Sequence, residues 1–176
     1  MTRSFPQIWA SVLFAAALSL PAAAQTFEEA VRINTAAMIG LCLQVMIDRA
    51  PPSTALSGAG LTYRAEDRGV NDFGVHRGTG HYFDAPADTA KIEVDAPDRI
   101  AGICQVYTRH MDQNELSQIV SNRLFQTYPG TRVRDQNQWV VERPGALPLI
   151  ITTRTIGDNH RYETPGTVQV TMSYPG

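Results

Sequence analysis

The sequence predicts an α+β fold in which two helices pack on a mostly antiparallel sheet to form a two-layer sandwich. Two segments carry apolar residues at three- and four-residue intervals, which is typical of amphipathic helices. Each segment is followed by short runs of alternating apolar and polar residues separated by Gly, Pro, Asn and Asp, which is typical of strands joined by turns. Two helices are too few to serve as the crossovers of a parallel doubly wound sheet.

The N-terminal segment, residues 1–24, has the three parts of a cleavable secretory signal peptide. Arg3 gives a basic head, the residues from Ile8 to Leu20 give an apolar run, and three alanines ending at Ala24 give a peptidase site. The apolar run is shorter than the roughly 20 residues that cross a bilayer. We therefore expect cleavage after Ala24, no membrane span afterwards, and one soluble α+β domain over 25–176 that is periplasmic or secreted.

The first predicted helix begins after Thr26, whose hydroxyl can form a capping box with Glu29, and ends before Pro51 and Pro52. Its apolar stripe includes Cys42. Four β-like runs follow, at about residues 61–65, 75–83, 90–94 and 102–108. In the fourth run, alternate residues from Cys104 to Thr108 share one face, which is expected to face the helix.

The second predicted helix begins after Asp112, whose carboxylate can cap the first turn, and ends at Pro129. Four more runs follow, at about residues 132–134, 138–142, 149–156 and 168–174. The last alternates strictly, which predicts one buried and one wet face. Residues 26–111 and 112–174 thus each predict a helix followed by four strands, and two similar halves are expected although no matching residues identify a duplication.

Cys42 and Cys104 are the only cysteines of the chain. Because unpaired thiols are rarely kept in an oxidising compartment, we expect one structural disulfide between them. The alternative is that both thiols are reduced and buried, as free cysteines in cores often are. A redox role is disfavoured because no Cys-x-x-Cys motif is present to lower a thiol pKa.

Composition excludes several kinds of partner and cofactor. The formal net charge is −2, Lys91 is the only lysine, and the arginines are scattered along the chain, so no nucleic-acid partner is expected. The glycine pairs at Gly58 and Gly60 and at Gly78 and Gly80 do not open a helix, so no phosphate loop and no nucleotide cofactor are expected.

The most suggestive local feature is the segment that contains His76, Arg77, His81 and Asp84, where two imidazoles lie near glycines and a carboxylate. These four residues are the weak candidates for a binding site. On an unbroken strand the two histidines point to opposite faces, and only a bulge at residues 78–80 would bring them together. Zinc needs a third or fourth ligand, and neither His110 nor His160 lies at ligand spacing, so no metal site is expected.

A group of aromatic residues beside arginines offers a second candidate surface. It could bind a partner through rings and cations, but the favoured interpretation is that the rings face the core of two strands. The polar segment over residues 64–74 is expected to form a loop, and this loop is the first candidate location for a binding site. The residues concerned are Tyr63, Phe73, Tyr82 and Phe83 with Arg64, Arg68 and Arg77.

Two functional hypotheses follow from these patterns. The first is a non-catalytic envelope module that binds an unknown protein or small molecule through its sheet face or the loops around residues 66–84, without a cofactor. The alternative is a small exported hydrolase that uses His76 or His81 with a nearby carboxylate, with or without a metal. No serine lies in a Gly-x-Ser-x-Gly turn, which disfavours a serine nucleophile.

Overall fold

The structure is a computed structural model that describes residues 26–70, 73–74, 78–98, 100–157 and 166–175. The predicted signal peptide, His76, Arg77 and His160 lie outside these residues. Three helices and an eight-stranded antiparallel sheet confirm the α+β class. The helices are α1 (Phe27–Asp48), α2 (Pro52–Gly58) and α3 (Gln113–Thr127). The strands are β1 (Thr62–Asp67), β2 (Thr79–Asp84), β3 (Lys91–Val94), β4 (Ile103–Thr108), β5 (Thr131–Asp135), β6 (Gln138–Val141), β7 (Leu149–Thr155) and β8 (Val168–Ser173).

The strand order β1-β2-β3-β4-β8-β7-β6-β5 is symmetrical about the central β4–β8 pair. Each half has four consecutive antiparallel strands, one of which belongs to this pair, as predicted for two similar halves. Helices α1 and α2 precede the strands of the first half, and α3 precedes those of the second. Gln105 of β4 and Thr171 of β8 pair at the centre of the sheet. Two strands outward from this pair lie β2 on one side and β6 on the other. Phe83 of β2 and Trp139 of β6 occupy equivalent positions in these two strands. Both side chains are fully buried. The halves are therefore alike in topology and in where the largest core side chains lie.

Helix α1 begins where the sequence predicts, because the Thr26 hydroxyl accepts a hydrogen bond from the Glu29 amide at 3.2 Å. It ends at Arg49, whose φ of 59° is left-handed, just before the two prolines. With a mean hydropathy of 1.6 over 18 residues, α1 is apolar enough to cross a bilayer by length and composition. Eight of its side chains are nevertheless buried against the sheet and the other helices, which makes it a core helix of this fold.

The short helix α2 was not predicted, because the two prolines before it were interpreted only as the end of α1. Pro52 instead occupies the first helical position, where its missing N–H is not needed. Leu56 is fully buried, and the Ser53 amide bonds the Pro97 carbonyl oxygen at 2.7 Å. This helix therefore ties the end of α1 to the turn between β3 and β4.

Helix α3 is capped by Asp112, whose carboxylate accepts from the Glu115 amide at 2.8 Å, as predicted. Only Leu116, Val120 and Leu124 are buried, so most of the helix surface faces solvent. The chain turns at Gly130, where any Cβ would overlap the carbonyl oxygen of Glu142 on the neighbouring strand. This close approach explains why a glycine follows Pro129.

The predicted disulfide between Cys42 and Cys104 is present and joins α1 to β4, with the two Cα atoms 5.8 Å apart. Both cysteines are fully buried. The bridge fixes the long first helix on the sheet face that Cys104 and Val106 share, as the alternation of β4 predicts.

Two local predictions are wrong. The segment 64–74 was expected to be a loop, but its first residues belong to β1, which pairs with β2 along its whole length. The strand β8 was expected to have a wet face, yet Gln169 on that face is fully buried and its Oε1 accepts from Arg154. In both cases the polar residues of the segment do not predict its structure, because pairing with neighbouring strands determines whether it forms a strand and which of its faces is buried.

Candidate functional site

His81 lies on β2 and faces the same side of the sheet as the buried Phe83. Its Nδ1 is 2.9 Å from the Tyr63 hydroxyl, and the two rings are stacked with centroids 6.2 Å apart. The imidazole is thus held by a neighbour on the edge strand β1. No carboxylate oxygen is recorded within bonding distance of His81 among the described residues.

Asp84 lies three residues further along β2 and therefore points to the opposite face of the sheet. Its carboxylate pairs with the Arg64 guanidinium at 3.2 Å. Arg64 also bonds Glu66 at 2.6 Å and stacks over the Tyr82 ring at 4.8 Å. Because the sheet separates His81 from Asp84, these two candidates do not form an acid–base pair, and the other two, His76 and Arg77, lie outside the described residues.

Of the predicted group of aromatic residues, only Phe83 faces the core fully. Tyr63 and Phe73 are exposed, and Tyr82 lies on the open face between Arg64 and Lys91. Part of the group is thus an aromatic and cationic surface, the interpretation that the sequence disfavoured.

The open face of the first half carries a network of charged and polar side chains. Arg68 forms an ion pair with Glu93, and the Tyr107 hydroxyl lies 2.7 Å from a Glu93 oxygen and 2.8 Å from the Gln105 amide oxygen. Gln105 in turn donates to the Thr171 hydroxyl at 3.2 Å. Glu93 is buried, and its charge is paired with that of Arg68. The network links β3, β4 and β8 to the residue that follows β1.

The second half contains an uncharged groove between α3 and the turn that joins β5 to β6. We call it the α3 groove. It has a volume of about 650 Å³, within the range of roughly 300–1,000 Å³ that is usual for small-molecule sites. Seven of its eight lining side chains are amides or hydroxyls and the eighth is an indole. They are Asn114, Ser117, Gln118, Ser121, Asn122, Gln136, Asn137 and Trp139.

The helical repeat places the polar residues of α3 along this groove. Asn114, Gln118 and Asn122 follow at four-residue intervals, and Ser117 and Ser121 lie beside them on the same face. The three amide side chains are exposed, whereas the two serines are partly buried. One long wall of the groove is therefore a row of groups that both donate and accept hydrogen bonds.

Hydrogen bonds fix the opposite wall, which is the turn between β5 and β6. The Ser117 hydroxyl donates to Asn137 Oδ1 at 3.0 Å and lies 2.7 Å from the Thr153 hydroxyl. The Thr153 amide donates to the Asn137 carbonyl oxygen at 3.0 Å. The turn is thus fastened to both α3 and β7, so that the groove has a preformed shape.

Trp139 is the only lining residue that is buried, with 2 % of its surface exposed, and so it lies at the bottom of the groove. Its indole Nε1–H has no hydrogen-bond partner in the described part of the chain. An unpaired buried donor costs about 1–3 kcal/mol. Trp139 therefore combines a place in the lining with a buried donor that has no acceptor in the described part of the chain.

Charged residues lie on the other side of α3. A second groove of about 700 Å³ between α1 and α3 shares Asn114, Gln118 and Asn122 with the first. It also includes Arg32, whose guanidinium bonds Glu115 across the two helices. This hydrogen bond raises the pKa of Arg32, which therefore stays charged. Among the described residues that line the α3 groove, none has a side chain that titrates near neutral pH.

Sequence reasoning missed the α3 groove because none of its residues belongs to a recognised motif. The sequence does contain one relevant pattern: Asn, Ser and Gln recur on one face of the second predicted helix, whose other face is apolar. A solvated helix surface carries the same pattern, and only the folded turn at Gln136 and Asn137 makes it one wall of a groove.

Comparison of the chain with known protein families, with curated proteins and with solved structures finds no match.

Proposed function

We propose that this protein is an exported, non-catalytic binding module that holds a small polar ligand, or a polar part of a larger one, in the α3 groove. The observation that carries the proposal is the unpaired, buried indole Nε1–H of Trp139 at the bottom of a groove lined otherwise by amides and hydroxyls. Buried donors are normally paired, and ligand sites are a common place for those that are not.

The chemistry of the lining favours binding over catalysis. Proton transfer at neutral pH needs a group whose pKa lies near 7, and nucleophilic attack by a serine needs an adjacent base. Among the described residues, the hydroxyl of Ser117 has two hydrogen-bond partners, the side-chain amide of Asn137 and the hydroxyl of Thr153. Neither neighbour accepts a proton readily, so Ser117 is a structural hydroxyl that shapes the groove.

Export is the second part of the proposal. The disulfide between Cys42 and Cys104 is compatible with an oxidising compartment such as the periplasm or the medium. The sequence of residues 1–24 predicts the means of reaching it. In such a compartment the protein would be exposed to polar molecules of the cell envelope, and one of these would bind in the α3 groove.

A fluorescence titration tests the proposal, because the chain has only two tryptophans, Trp9 and Trp139. In the Trp9→Phe chain, the emission of Trp139 reports on the α3 groove alone. A soluble extract of the envelope of the producing cells is added stepwise. The proposal predicts a saturable change in the intensity or wavelength of the emission.

Two matched variants show whether the change arises in the groove. Gln118→Arg places a long cation on the groove wall, and Gln126→Arg places the same cation on an exposed part of α3 that does not line it. We expect Gln118→Arg to abolish the emission change and Gln126→Arg to preserve it. An extract that leaves the emission unchanged, or a change that is equal in both variants, contradicts the proposal.

A further inference from the structure

We infer that the ligand of the α3 groove is a neutral carbohydrate. This inference rests on the proposed function and goes beyond it by naming the chemical class of the ligand. Three features of the described lining support it: the balance of donors and acceptors, side chains without formal charge, and a buried indole.

The lining matches hydroxyl groups better than it matches other polar groups. Each amide side chain has one acceptor oxygen and two donor hydrogens, and each serine hydroxyl both donates and accepts. A sugar hydroxyl likewise donates once and accepts twice, so a row of amides at Asn114, Gln118 and Asn122 can pair with a row of hydroxyls. An ionised carboxylate or phosphate accepts hydrogen bonds but does not donate them, so it would pair with the NH₂ groups of these amides and leave their acceptor oxygens without a donor.

Charge excludes ionic ligands as the best fit. None of the eight lining residues carries a formal charge. Anion sites in proteins use Arg, Lys or several backbone amides, and cation sites use carboxylates. Three charged residues, Glu115, Arg123 and Asp135, adjoin lining residues in the chain but do not line the groove, and Glu115 is paired with Arg32.

Peptide ligands fit the groove less well. Domains that bind extended peptides pair a strand edge with them or provide apolar pockets for side chains. The only large apolar side chain that lines the α3 groove is Trp139, which is already buried beneath α3. An indole carries an N–H donor beside its apolar ring, and this donor suits a hydroxyl ligand better than an apolar side chain.

Each lost hydrogen bond should have a measurable effect on affinity. Gln118→Ala and Asn122→Ala each remove one exposed amide from the wall and keep the helix intact, because alanine favours helices. We expect each variant to bind about three- to tenfold more weakly, which corresponds to the loss of one neutral hydrogen bond. Gln126→Ala is the matched control and should bind as the unaltered chain does.

The deciding experiment treats the envelope extract before it is added to the Trp9→Phe chain. One aliquot is digested with a protease that is then inactivated, a second is oxidised with periodate that is then quenched with glycerol, and a third is passed over anion and cation exchangers. Periodate cleaves the vicinal diols of sugars. A neutral carbohydrate predicts that the emission change of Trp139 survives protease, passes both exchangers and is lost after periodate.

The untreated extract separates the two proposals. Suppose that the untreated extract changes the emission of Trp139 and that Gln118→Arg abolishes this change. The binding function then stands. The carbohydrate inference is nevertheless overturned if protease abolishes the change, if an ion exchanger retains the active material, or if periodate does not affect it. If the untreated extract has no effect, the proposed function fails and the inference fails with it.

Discussion

In the first half of the molecule, from α1 to β4, a helix of 22 residues covers the sheet and a disulfide fixes it there. In the second half, from α3 to β8, a helix of 15 residues buries only three side chains and no covalent bond holds it. The open faces of both halves carry charged side chains. That of the first half holds the Arg64–Asp84 and Arg68–Glu93 ion pairs, and that of the second half holds Arg154, which bonds Gln169, and Arg132, which pairs with Glu142.

The two halves therefore share a topology but differ in how their helices are held. In the first half the helix is buried in the core and polar groups of the open face are joined in ion pairs. The second half keeps a polar helix face beside a fixed turn and an unpaired indole. Each prediction below tests one side of this comparison.

The largest expected effects concern the equivalent core residues Phe83 and Trp139. Phe83→Ala and Trp139→Ala should each lower the free energy of unfolding by about 3–5 kcal/mol, because each removes a fully buried ring and leaves a cavity. Urea unfolding measures both. Phe125→Ala is the control, since Phe125 is 54 % exposed on α3. If Trp139→Ala lowers the free energy of unfolding no more than Phe125→Ala does, the Trp139 ring is not packed in the core beneath the α3 groove.

Removal of the disulfide should have the next largest effect. The Cys42→Ala, Cys104→Ala double variant should lose roughly 2–4 kcal/mol, because the bridge closes a loop of 62 residues and restricts the unfolded chain. Amide hydrogen exchange should show the loss of protection mainly in α1 and β4. Equal loss in α3 and β7 would contradict the view that the bridge serves the first half.

The helix caps should give smaller and unequal effects. Asp112→Ala should destabilise the protein by about 1–2 kcal/mol and Thr26→Ala by about 0.5–1 kcal/mol. The Asp112 bond is the shorter of the two, and its negative charge also interacts favourably with the helix N-terminus. Denaturant midpoints at neutral pH give the comparison. A larger cost at Thr26 would mean that α3 depends on packing more than on its cap.

The smallest expected effect is at high pH. Burial and the nearby Asp48 carboxylate raise the pKa of Tyr128 above its usual value of about 10. The folded protein therefore favours the neutral phenol of Tyr128. This preference contributes to the free energy of unfolding in full below pH 10, and the contribution is lost as the pH rises through the raised pKa. Tyr128→Phe should lose less stability than the unaltered chain between pH 10 and pH 12 in urea unfolding. Parallel losses in both proteins would show that Tyr128 ionises alike in the folded and unfolded states.

Much of the fold could be predicted from the sequence because its signals are local. Thr26 and Asp112 mark the helix starts, and strict alternation marks β4 and β8. The pairing of Cys42 with Cys104 followed from there being no other cysteine. The α2 helix was missed because prolines both end and begin helices, and only tertiary contacts of Leu56 decide between these roles.

The candidate site could not be predicted in the same way. Conspicuous residues such as His81 and Asp84 attracted attention because of their chemistry, but strand geometry separates them. The α3 groove depends on Asn137 meeting Ser117, two residues that lie 20 positions apart and carry no motif. Which polar residues line a groove is decided by strand register and helix placement, and neither is encoded locally.

The most direct test of the central claim is the nuclear magnetic resonance signal of the Trp139 indole N–H in the Trp9→Phe chain, where it is the only indole signal. On addition of the envelope extract, we expect this signal to move downfield and its exchange with water to slow, because an unpaired donor gains an acceptor. Amides of α3 and of the turn at residues 136–137 should shift with it. An unchanged indole signal, with shifts confined to β1, β2 and β3, would place the ligand on the first half and contradict the account.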